Sequence, residues 1–81
     1  MLHSTVYNEG LPRELRDAFA RRDHLFFHAR IIQLAAHVAK STPTDPNLDR
    51  LLSDLHIALG LHDALVGQGE TVSLLTDFVN L

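Results

Sequence analysis

His24 and His28 stand four residues apart in a stretch rich in helix formers, so on a helix both imidazoles point the same way. Asp17, seven residues before His24, faces the same side. Two imidazoles and a carboxylate are donors that ligate zinc or another divalent cation. No fourth ligand accompanies them, and the glutamate of the zinc-protease signature does not stand between the histidines. A solvated helix face accounts for the trio, and no metal or cofactor is expected. Arg22 and His28 offer a second chemistry, because a guanidinium grips phosphate through two N–H groups and an imidazole moves protons near neutral pH. His62 lies in an otherwise apolar stripe, seven residues after Leu55. Two roles fit it: a core imidazole bonded to a backbone carbonyl or an acid, or a contact at a dimer seam that protonation loosens. His37, on a narrow polar strip, can serve the second role too.

The run Arg22-Asp23-His24-Leu25-Phe26-Phe27-His28 places an arginine, a polar residue and four more residues before a histidine. This spacing resembles the catalytic motif of HEPN-type ribonucleases, which are dimeric helical proteins. The resemblance covers seven residues of 81. It implies a ribonuclease or toxin-type domain in which Arg22 and His28 handle phosphate charge and proton transfer.

Aromatic residues are few, which makes Phe19 and Phe26 conspicuous beside Arg16, Arg22 and Arg30. An apolar centre with a charged rim is how a protein contact patch is built. Phe19, Arg22, Phe26 and Arg30 are therefore the expected partner-binding residues, with core packing as the plainer account of the rings. No nucleophile constellation accompanies them. Ser4, Ser41, Ser53 and Ser73 fit arm, loop, helix-surface and cap positions, and Gly67-Gln-Gly69 is a turn too short to cradle phosphate. The expectation is a non-enzymatic interaction module, a small homodimeric regulator or inhibitor that binds another protein.

The elements that position these residues are helices. Pro12 suits a first helical turn, and neither Gly nor Pro interrupts the chain from there to Lys40. Pro43 ends that segment, and Asp45-Pro46 restarts a helix as N-cap and first residue. That second helix shows an apolar stripe through Leu48, Leu51, Leu52, Leu55, Ala58, Leu59, Leu65 and Val66. Gly67 marks its end, and Thr71 is placed to cap a last helix with Val72, Leu75, Phe78 and Val79 on its apolar face. The sequence thus predicts an all-α fold: a helical hairpin of a long helix over 12–40 and an antiparallel helix over 46–66, plus a short C-terminal helix over 71–80. Residues 1–81 form one domain, with 1–10 as an N-terminal arm in which Ser4–Tyr7 could pair as an edge strand.

The polar side of the first helix swings by roughly half a turn midway along. Arg13, Glu14, Asp17, Arg21, His24 and His28 mark it first, then Arg30, Gln33, His37 and Lys40. Either the helix breaks near Arg21–His24 with Asp23 as a new N-cap, or one long helix meets different neighbours at its two ends. Length favours the unbroken form, since its excess over the second helix, roughly 12 Å, is about what the last segment could cover. The half from Phe27 to Ala39 is apolar over most of its circumference and must be covered nearly all round. A second copy supplies that cover through a two-fold contact. The expected dimer seam comprises Phe27, Ile31, Leu34, Ala35, Val38, Leu55, Leu59 and His62, giving a dimeric helical bundle.

Composition agrees with small size and self-association. Scaling of surface with mass leaves roughly 63% of the unfolded surface buried in an 81-residue domain, a marginal figure. Without Cys there is no disulfide or thiolate site to staple it. The net charge is -3 with histidine neutral and becomes +3 if all six histidines take a proton. Residues 1–40 carry six basic and four acidic groups, while residues 41–81 carry one basic group and six acids. That asymmetry suits two halves packed against each other, and the acidic total argues against nucleic acid as a partner. The first ten residues lack the basic start and apolar run of a signal peptide, and no stretch approaches the roughly 20 apolar residues of a bilayer span. A cytoplasmic protein without membrane contact is expected.

Overall fold

The computed structural model describes residues 11–79, and these form four α-helices: α1 (Arg13–Ala20), α2 (His24–Lys40), α3 (Leu48–Val66) and α4 (Gln68–Val79). The expected arm over 1–10, with its Ser4–Tyr7 strand, and position 80 of the expected last helix lie outside the described residues. Over the described residues the all-α reading is correct. None of these helices is long and apolar enough to cross a membrane.

The long helix expected over 12–40 is two helices, and the break is built from backbone hydrogen bonds. The Arg22 N–H donates to the Phe19 carbonyl (3.1 Å) and the Asp23 N–H to the Ala18 carbonyl (2.9 Å). This pair of bonds is the Schellman motif, which satisfies carbonyls left over at a helix end. The motif needs a left-handed residue, and Arg22 fills that place with φ 57°. Asp23 then caps α2, its Oδ1 accepting from the Phe26 N–H at 3.1 Å. The half-turn swing of polar residues therefore records two helices, each turning its own apolar side inward. The length argument for a continuous helix fails because the turn at Arg22 ends α1 and lets it pack against α2 and α3 on its own.

The other boundaries shift by a few residues. α3 begins at Leu48 and not at Pro46. Asp45 holds the preceding turn, accepting from the Asn47 N–H through Oδ1 at 2.8 Å. α4 begins at Gln68, so only Gly67, with φ 95°, separates it from α3. That conformation is open to glycine and strained for other residues. Thr71 is consequently not a cap but a buried residue within the helix.

The core has two parts. In the first, Leu15 and Ala18 of α1 meet Phe27 of α2 and Leu61 of α3, with Phe19, Phe26, Ile57 and Leu65 packed around them. Phe26 and Phe27 meet edge to face, their ring centroids 5.3 Å apart. In the second, Ile31 and Leu34 of α2 meet Ala58 of α3 and Leu74 of α4, bordered by Leu51, Leu55, Leu59 and Leu75. In the apolar half of α2, Phe27, Ile31 and Leu34 are thus covered by their own chain, while Ile32, Ala35, Ala36 and Val38 are half-buried. On α4 the inward side is Thr71, Leu74, Leu75 and Phe78, whereas Val72 and Val79, expected on the apolar face, stand exposed.

Candidate functional site

Three helices converge on a groove of about 780 Å³. Helix α2 contributes His24, Leu25, His28 and Ile32; α3 contributes His62 and Val66; α4 contributes Glu70, Ser73, Leu74, Asp77 and Phe78. The sequence separates the histidines into a wet face and an apolar stripe, and the structure brings three of them to one place. Apolar side chains form much of the lining, with imidazoles and two carboxylates among them.

His62 is the buried member. Its Nδ1 lies 2.7 Å from Thr71 Oγ1, and both residues are inside the fold. The partner is neither a backbone carbonyl nor an acid. The threonine hydroxyl has one proton to give and lone pairs to receive with, so it can pair with either tautomer of the ring. It also lies 3.4 Å from the Gly67 carbonyl, to which it can donate. Burial pushes the His62 pKa below its ordinary value of 6.5; His28 and then His24 push it the same way, while Asp63 and Glu70 oppose them. The neutral imidazole is therefore the form that suits the closed fold.

The remaining expected site residues divide between core and surface. Phe27, Ile31, Leu34 and His62, expected at a dimer seam, are enclosed by their own chain and serve its core. Ala35, Val38, Leu55 and Leu59 are half-buried and keep some open surface. Of the expected partner-binding residues, Phe19 and Phe26 are half-buried against the first core cluster, and Arg22 is exposed. Arg30 is half-buried, its Nη1 lying 3.7 Å from Glu14 Oε1. His28 lines the groove, whereas Arg22 sits in the turn between α1 and α2 and is not among the lining residues. His37 stands with Lys40, Asp45, Arg50 and Asp54 around a separate, shallower hollow of about 490 Å³. Among the described residues no group of three or more His, Asp or Glu is disposed to hold a metal ion.

Thr71, Glu70 and Asp77 are the groove residues that sequence reasoning missed. A signal for Thr71 exists: His62 is five residues before Gly67 and Thr71 four after it. Two helices folding back at that glycine bring such positions together. No protein family, curated protein or solved structure matches this chain.

Proposed function

We propose that the chain is a non-enzymatic interaction module that pairs with a second copy of itself in an antiparallel helical-hairpin bundle and, as a regulator or inhibitor, holds another protein. The observation that carries this reading is the apolar surface left uncovered on α3 and α4. Val72 and Val79 are 54% and 79% exposed, and with Leu75 between them they line a shallow hollow of about 280 Å³. On α3, Leu52 is 45% exposed and lies one helical turn from half-buried Leu55 and two from Leu59. Leu55, Leu59 and Leu75 all border the second core cluster, so the two strips flank one region of the fold. Exposed apolar strips of this kind mark contact sites.

A small domain without disulfides gains the burial it lacks by covering such strips with a second subunit. The seam in this reading moves from the core of α2 to the open edges of α3 and α4. Light scattering across pH 5 to 8 tests it: a mass near twice 9.1 kDa is expected. The double substitution Val72→Asp/Val79→Asp should return the mass to 9.1 kDa with helix content intact. A monomer at every pH and concentration refutes the pairing. For the second partner, an affinity pull-down should retain one defined protein and lose it when Phe26 is changed. The ribonuclease-type alternative gains no support from Arg22, which lies outside the groove that contains His28.

A further inference from the structure

We propose that α4 is an acid-released latch: His62 and Thr71 hold it closed across Gly67, and proton uptake at His62 frees it while α1, α2 and α3 stay folded. This goes beyond self-association, and because the proposed seam also uses Val72 and Val79 of α4, the Val72→Asp/Val79→Asp chain separates release of the helix from loss of the partner.

The core is divided in a way that permits such a release. The first cluster is built from α1, α2 and α3 alone. Helix α4 enters only the second, through Leu74 and the bordering Leu75. Its buried polar attachment is the 2.7 Å contact between Thr71 Oγ1 and His62 Nδ1. Gly67, at φ 95°, is a single-residue junction with open space where a β-carbon would stand, so the turn itself presents no packed side chain to displace. Release would uncover Ile31, Leu34 and Ala58, the bed on which Leu74 rests.

The charges around His62 set the direction. From α2, His24 and His28 face it; on its own helix Asp63 is adjacent; from α4 come Glu70 and Asp77, which share the groove. A proton on His62 is disfavoured first by loss of water and then by the two facing imidazoles. Opening the groove returns His62 to water, which relieves the first penalty and lets solvent screen the second, and this outweighs the loss of Glu70 and Asp77, which leave with α4. The closed state therefore has the lower pKa. The stability of the closed state is complete above the open-state pKa and falls as the pH drops below it toward the closed-state value. For a single proton and an open-state imidazole at its ordinary 6.5, the opening equilibrium rises at most about 30-fold between pH 7.5 and pH 5.0.

Amide hydrogen exchange on the full chain, read as protection factors at pH 7.5, 6.5, 5.5 and 5.0, tests the latch. The opening of α4 amides should grow by about 3- to 30-fold over that range. The most protected amides of α2 and α3 should change by less than about twofold. His62→Gln, which cannot titrate, should flatten the α4 response. Equal loss of protection in all the helices overturns the proposal, as does a response that survives in His62→Gln. Should that variant fail to fold, the imidazole NMR titration of the unaltered chain decides: a His62 pKa below 6.5 is required, and a value at or above it overturns the latch.

Discussion

Arg22→Gly should stabilise this protein, although arginine is the better helix former. Arg22 occupies the left-handed position of the Schellman motif at φ 57°, where a β-carbon crowds the following carbonyl. That crowding costs about 1–2 kcal/mol, and glycine avoids it. Against this gain stands the greater freedom of glycine in the unfolded chain, about 0.5–1 kcal/mol. The net expectation is a gain of up to about 1.5 kcal/mol, centred on about 0.75 kcal/mol or roughly 3–6 °C in Tm for a domain of this size. Thermal melts followed by circular dichroism at 222 nm measure it. Arg22→Ala, which keeps the β-carbon, should gain nothing and so separates the backbone effect from loss of the guanidinium. An uninterrupted helix over 12–40 reverses these signs: glycine in a helix interior would cost about 1 kcal/mol relative to alanine. If Arg22→Ala stabilises and Arg22→Gly destabilises, the break between α1 and α2 is refuted. Because Arg22 is exposed, no lost packing confuses the comparison.

Three further outcomes follow from named contacts, each read by denaturant unfolding. Asp23→Ala removes the cap on the Phe26 N–H and should cost about 1 kcal/mol, while Asp23→Asn, which keeps an acceptor, should cost less. Thr71→Val leaves buried His62 Nδ1 without its partner and should cost about 1–3 kcal/mol, with Thr71→Ser closer to the parent. Phe27→Ala empties a fully buried site and should cost about 3–5 kcal/mol, a large share of the stability of so small a domain.

Helical class and the end of α2 at Lys40 are legible in the sequence because they rest on local signals. Pro12, Pro43 and the three- and four-residue apolar spacing act over a few residues, and tertiary structure leaves them unchanged. The break at Arg22 is harder to read because the residue at the left-handed position is not the glycine that usually marks it. The sequence still carries evidence of it in the swing of the polar face and in Asp23, an aspartate three residues before the amide it caps. The start of α4 is misread for the opposite reason. Two glycines flank Gln68, yet only Gly67 takes the positive φ, and Gly69 is absorbed into the helix.

The groove could not be read by the same means, and the reason is physical. Helical periodicity ranks positions by the face they share with neighbours three and four residues away, so it compares residues only within one element. By that measure His24 and His28 belong to solvent and His62 to the core, and each assignment is correct for its own helix. The convergence arises between elements. The turn at Arg22 sets where α2 begins, the first core cluster packs Phe27 against Leu61, and Gly67 folds α4 back so that Thr71 reaches His62. A one-residue shift in any of these would turn a side chain by about 100° and disperse the site. The histidines are thus joined by the two residues in the described chain with positive φ, Arg22 and Gly67. If the latch operates, Gly67 also has a dynamic role. The positive φ that turns the chain back confines that conformation largely to glycine, and no side chain at the junction packs against a neighbour.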